Sequence, residues 1–423
     1  MSEAIQNAKF SGNRVVLGCV IYLFLVLGVI NIMGVSFAVW PEYYGADFAT
    51  CMSMMSISTG INMCGAFFIG PIYRKLTPKK VMIFGSILLF LMGLSMQVPN
   101  IIFLGVFMVL ESLTATFCIH TATSAICVRW FHKGTSSKIG MCIMSGVIGG
   151  ALFVLISGFT IPVLGVAKWW LVACTCASVI ALLCAIFLVK DTPEQVGQKP
   201  YGYDPNSQEA AIDPSKEKGT TKELFSNPAF WIIAIALIIG SFVVVLFSSY
   251  ATPYLAACGV PMQVASTVYS IILFAGGLMS YFAGKIIDKI GIKAFVLMIF
   301  GAGVLGCIAF ALCGTGNTPG IGMFAVLIIF GALNYPMMMV ASFIAAPIFG
   351  RRLSDDAMGK FACCVSISSC VLNIVAANLI GVLGYVPVFY IWAGISAVSL
   401  VLFMSGLIYG EKRQKRLAQE ANS

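Results

Sequence analysis

The chain has 423 residues, of which 60% are hydrophobic and 10% charged, against about 45–50% and about 25% in soluble domains. This excludes a soluble globular protein. Apolar runs of about 20 residues recur instead, each long enough to cross a bilayer core as a helix. The net charge of +9 would suit a nucleic-acid binder, but the placement of the charges excludes that reading.

In chain order the pattern predicts twelve spans, at 15–38, 51–70, 81–98, 101–128, 137–160, 168–190, 229–251, 264–283, 293–313, 320–346, 360–384 and 388–409. The first run begins near Val15, is long enough to stay as a membrane anchor, and is expected to be one rather than a cleavable signal peptide. With the N-terminus in the cytoplasm, 24 of the 25 Lys and Arg residues fall in the tails and loops on that side, and only Lys168 lies outside. Cationic loops resist translocation, so this bias sets the orientation with both termini cytoplasmic and accounts for the charge. Residues 1–190 are expected to form one six-helix bundle. Residues 191–228, rich in Asp, Glu, Lys, Pro and Gly, are a solvated linker, and 229–423 are a second bundle with a basic tail.

Most of the 15 cysteines, Cys118, Cys127, Cys142 and Cys174 among them, lie within apolar runs and read as small packing residues. In the fifth span Gly146 and Gly150 stand four apart and would let another helix approach closely. In the tenth, Pro336 removes a mid-membrane backbone hydrogen bond and should kink the helix.

The two halves carry one unit twice. Gly284 to Lys293 (GKIIDKIGIK) lies between apolar runs, as does Gly70 to Lys80 (GPIYRKLTPKK). Gly284 pairs with Gly70, Lys293 with Lys79 and Gly259 with Gly45, each at an offset of 214. The stretch Gly284-x-Ile286-x-Asp288-Lys289-x-Gly291-x-Lys293 resembles the loop signature of the major facilitator superfamily, and its repetition resembles that family's two halves. Arg129-Trp130-Phe131 and Asp191-Thr192-Pro193-Glu194 further resemble the branch holding oxalate/formate antiporters and monocarboxylate transporters. The resemblance implies the major facilitator fold, an all-α membrane protein of two pseudo-symmetric six-helix bundles. It also implies alternating access to a central site lined by spans 1, 2, 4, 5, 7, 8, 10 and 11.

Two departures from that pattern matter. The first copy has Arg74 where the second has Asp288, and Thr77 where it has Gly291. The family's acid is thought to brace the closed cytoplasmic gate. A charge swap is therefore expected, with Arg74 or Lys75 reaching Asp355 or Asp356. Ser354, Asp355 and Asp356 are read as lying where the eleventh helix begins, capping it. The alternative is solvated charges on a cytoplasmic rim. Gly70, Gly284, Gly291 and Lys293 complete this gate set. The second departure is that oxalate-type carriers are expected to hold cations on the eighth and eleventh helices. Here the eighth has none before Lys285, and the eleventh has only Lys360. A dianion without a fixed cation is costly to desolvate, so a monocarboxylate travelling with a proton fits better than oxalate.

One acidic residue lies deep in a span. Glu111 sits about ten residues into the fourth, near mid-depth at about 1.5 Å per residue. An ionised carboxylate there costs at least about 2.5–3.5 kcal/mol, so Glu111 is expected to be neutral or to face a polar cavity. Its two readings are proton coupling or substrate binding, and a neutral acid donating one interhelical hydrogen bond. It shares a face with Thr114, Cys118 and Thr121, while His120 lies about half a turn away and reads as a packing residue. The remaining cavity candidates are Asn31, Asn62, Tyr250, Tyr269, Asn334, Tyr335 and Asn373, and any one Asn serves equally well as a bridge between helices.

An enzyme would need clustered nucleophile, base or metal ligands, which two histidines (His120 and His132) and one buried acid do not supply. No phosphate-cradling loop is present. No catalytic residue, metal or cofactor is therefore expected. The partners expected are a small organic acid, protons and the lipid of the cell membrane, with the chain a monomer. An organic-anion exchanger and a non-transporting receptor are the rival readings.

Overall fold

A computed structural model describes residues 11–116, 122–131, 135–202, 221–313, 321–349 and 351–420. Among these the chain is helical throughout, with no strand and one isolated bridge between Phe131 and Tyr201. Among the described residues nine helices are long and apolar enough to cross a membrane, and Ile101–Thr114 and Gly322–Met337 are shorter apolar ones. The second expected span falls on a further helix, Phe48–Lys75, of 28 residues. Helices suit this composition because in lipid every backbone group must be paired within its own segment.

Helix ends follow local chemistry. Asn100 accepts from the Ile102 N–H at 2.9 Å and Asn227 from the Ala229 N–H at 3.1 Å, with Pro228 in the first turn. The paired glycines of the repeat hold matching posts. Gly45 (φ 60°) and Gly259 (φ 78°) both have the left-handed backbone that ends a helix and that a side chain would strain.

Two compact units emerge. The first is Met1–Asp47 with Ile57–Ser207, and the second is Phe48–Ser56 with Gln208–Ser423. In the first, Gly12–Ile30 packs on Thr135–Leu164 through the expected glycine face. A side chain at Gly146 would strike Leu27, and one at Gly150 would strike Asn31. Gly149, not foreseen, lies closest of all, with the Phe24 carbonyl directly against it. Trp170 donates to Ser36 Oγ (2.8 Å), and Tyr22 donates to the Met82 carbonyl (3.0 Å).

The opening residues of the expected linker belong to this unit. Asp191 is buried and accepts from the Lys79 N–H at 2.8 Å, so it caps Pro78–Ser95 from outside that helix. Trp130 Nε1 donates to the Lys190 carbonyl, the Tyr201 N–H donates to the Trp130 carbonyl, and Gln198 accepts from the Ser11 N–H. Residues 203–220 lie outside the described part.

The second unit is centred on Phe230, stacked on Phe361 at 5.2 Å and flanked by Phe349. Three of its helical runs are irregular. A π-helical turn at Leu246–Tyr250 follows Pro228–Val245, and another at Ser368–Leu372 follows Arg351–Ile367. A 3₁₀ turn at Tyr335–Met339 sits at Pro336, where the tenth span was expected to kink.

One expectation changes. Ser354, Asp355 and Asp356 do not cap a helix, because Arg351–Ile367 begins three residues earlier. Arg351, Arg352 and Leu353 are all good helix formers. The last helix runs from Tyr385 to Glu420 and so takes in the basic residues of the tail.

Candidate functional site

Glu111 stands in the third turn of Ile101–Thr114 and is 9% exposed. Ser58, on Phe48–Lys75, donates to Glu111 Oε2 at 2.5 Å, and Ser112 donates to the Ser58 carbonyl at 2.7 Å. One turn further along, Thr116 donates to Asn62 Oδ1 at 2.5 Å. Ser58 and Asn62 are four apart on one helix, and so are Ser112 and Thr116 on the other, so two polar stripes zip together around one acid. Of the residues read as sharing Glu111's face, Thr114 donates to the Leu110 carbonyl of its own helix. Cys118, His120, Thr121 and His132 lie outside the described residues.

The second unit gathers four of the other candidates into two pairs. Tyr250, at the end of the first π-helical turn, donates to Asn373 Oδ1 at 2.7 Å, and Asn373 Nδ2 donates to the Met52 carbonyl at 3.1 Å. Asn373 directly follows the second π-helical turn, and Met52 lies in the Phe48–Ser56 stretch of this unit. Tyr269 and Tyr335 meet at a small cavity lined also by Phe247, Ser248, Ile272 and Gly331. The 3₁₀ turn at Pro336 sets the backbone of Tyr335, and Gly276 leaves room for its ring, since a side chain at 276 would collide with it.

The remaining candidates do not converge. Asn31 Nδ2 returns to the Leu27 carbonyl at 2.8 Å and packs on Gly150. Asn334 Nδ2 donates to the Ile299 carbonyl at 3.1 Å. In the gate set Gly291 (φ 81°) turns the chain between Met262–Ile290 and Ile292–Cys313, and Asp288 is exposed. Lys293 pairs with Glu411 at 2.7 Å, a partner sequence reasoning missed because it lies 118 residues away with no periodic link. Gly70, Arg74, Lys75, Gly284, Asp355 and Asp356 lie outside the residues whose side chains are described. Ser58 and Thr116 were also missed, although the four-residue stripes could have found them. No group of His, Cys, Asp and Glu suited to a metal occurs among the described residues.

The fold is that of solved membrane transporters. A point variant of the nucleoside transporter NupG superposes with a TM-score of 0.75 at 16% identity, over 93% of this chain and 99% of that one. A D-xylose–proton symporter gives 0.71 at 13% over 92% and 96%. A POT family transporter in complex with 5-aminolevulinic acid gives 0.70 at 13% over 94% and 96%. No curated protein matches at the level of sequence. The family model of the Major Facilitator Superfamily matches residues 18–347, most of the chain. The protein belongs to that superfamily and is a multi-pass membrane transporter of its type.

Proposed function

We propose that the chain is a secondary active transporter that moves a small organic acid, a monocarboxylate, by alternating access, with a proton carried on Glu111. Its basic loops and both termini face the cytoplasm of the cell in which it sits. The observation that carries the reading is Glu111 itself, an acid held deep in an apolar helix whose one partner among the described residues is a neutral hydroxyl. A carboxyl so placed is costly to ionise, so binding and release of its proton can be tied to which side of the membrane it faces. Proton symport is compatible with this fold, as the D-xylose–proton symporter illustrates. A monocarboxylate is favoured over a dianion because no Lys or Arg precedes Lys285 on Met262–Ile290.

The test is uptake into proteoliposomes under an imposed pH gradient, with a panel of labelled acids. Glu111→Gln should lower proton-driven accumulation about a hundredfold or more, while exchange of solute across a symmetric membrane persists. Unchanged pH dependence in that variant would refute the role of Glu111.

A further inference from the structure

Cys174 and Cys307 are buried packing residues, and no other thiol acts on either among the described residues. Three other cysteines, all in the first unit, form a cluster instead. Cys19 on Gly12–Ile30, Cys127 on Thr123–Trp130 and Cys142 on Thr135–Leu164 are each no more than 1% exposed, and all are free thiols. Cys127 stands in the middle, where the thiols of Cys19 and Cys142 both donate to its sulfur. The backbones around them are drawn together independently. Ser145, on the turn after Cys142, shares its hydroxyl between the Cys142 carbonyl (2.6 Å) and the Val20 carbonyl beside Cys19 (2.9 Å). Gly146 and Gly149 continue the close approach of the same two helices.

Packing alone would be served as well by alanine or serine. What three touching thiols add is the capacity to exchange S–H for S–S. Lys138, whose Nζ lies 5.5 Å from the centre of the Phe131 ring, is near enough to act on both Cys127 and Cys142, so a thiolate formed here has a counter-charge. We infer that Cys19, Cys127 and Cys142 form a peroxide-reactive site, in which Cys127 becomes joined by a disulfide to one of its two neighbours and staples Thr123–Trp130 to the helix beside it. The site lies outside the Glu111 cluster and does not depend on what the protein carries. Its co-reactant is hydrogen peroxide, small and uncharged enough for a site closed to larger reagents. The Cys127 thiolate attacks one peroxide oxygen. The S–O bond forms, the O–O bond breaks, and the departing hydroxide takes up the thiol proton as water. The thiolate of Cys142 or Cys19 then attacks the sulfenic sulfur, the S–S bond forms, and the S–O bond breaks to release a second water. Two thiols and one peroxide thus give one disulfide and two waters. Sulfurs already in hydrogen-bond contact reach the bond length of about 2.05 Å by side-chain rotation and slight helix movement.

The test treats the detergent-purified protein with hydrogen peroxide, unfolds it, blocks the remaining thiols with N-ethylmaleimide and maps bridges by mass spectrometry without reduction. A bridge through Cys127 to Cys142 or Cys19 is expected, with Cys174 and Cys307 recovered as blocked thiols. The oxidised protein should melt at a higher temperature, because a staple restricts the unfolded chain, and dithiothreitol should reverse the rise. Cys142→Ser should move the bridge to Cys19, and Cys127→Ser should leave the cluster without one. Recovery of all three as blocked thiols, at a dose that oxidises exposed Cys176, would overturn the site. Oxidation of Cys174 and Cys307 at the same rate would overturn it too, since burial and not the cluster would then set reactivity. A Cys19–Cys142 bridge in Cys127→Ser would remove Cys127 from its central role, and a bridge that leaves melting unchanged would refute the staple.

Discussion

Glu111 and Tyr335 are both polar groups in apolar helices, but they are held in place in different ways. Around Glu111 the groups answer one another: Ser58 with the acid, Ser112 with Ser58, Thr116 with Asn62. Around Tyr335 the wall is mostly apolar, and two of its sides are irregular backbone, the 3₁₀ turn that carries Tyr335 and the π-helical turn that carries Phe247 and Ser248, while Tyr269 stands on a regular helix. A satisfied cluster resists change and suits a group whose charge state must be controlled. The contrast teaches that one polar group is held by partners on a neighbouring helix while another is placed by a break in its own backbone.

The contrast can be attacked at several points. The largest effect is expected at Gly276→Val, where the added carbons have no space except that of the Tyr335 ring. Overpacking of this kind costs about 1–3 kcal/mol, seen as a lower melting temperature of the detergent-purified protein. An unchanged melting temperature would mean that the Tyr335 ring moves aside at no cost. Next is Ser58→Ala, which strips Glu111 of its described partner. A loss of about 1–2 kcal/mol is expected, seen as a lower melting temperature, together with an altered pH profile of uptake. An unchanged melting temperature and pH profile in Ser58→Ala would mean that the bond to Glu111 contributes nothing. The smallest effect is expected at Lys293→Ala, outside both patches. Its pair with Glu411 is partly exposed and should be worth no more than about 1 kcal/mol, measured by thermal melting at low and high salt.

Much of the architecture was legible because lipid leaves the chain few options. Long apolar runs had to be helices, and the recurrence of Gly45 as Gly259 reflects a shared way of ending one. The kink at Pro336 was legible for the same reason, since a missing N–H has the same consequence in any helix. What escaped was mostly contact between distant segments. Asp191 looks in sequence like the first residue of a polar linker, yet its oxygen caps a helix that begins 113 residues earlier, at Pro78. Ser354 and the two acids after it had the composition of a cap, but the helix begins ahead of them, at Arg351, where side chains with high helical propensity already favour it. Among the site candidates, seven polar residues were indistinguishable by type. Only placement separates Asn31 and Asn334, which bond to backbone carbonyls, from Tyr269 and Tyr335, which line a small cavity.

The wide turn at Leu246–Tyr250 has an evolutionary consequence. It accommodates one residue more than an α-helical turn, so deleting a single amino acid there would regularise the helix. The wide turn absorbs its extra residue within itself, so the helix beyond would keep its facing and only the turn would be rebuilt. Relatives that share this architecture but lack that one residue would keep the same inner face on either side of it. A one-letter length difference between residues 246 and 250 would therefore alter the local wall on which Phe247 and Ser248 stand and leave the rest of the helix in register.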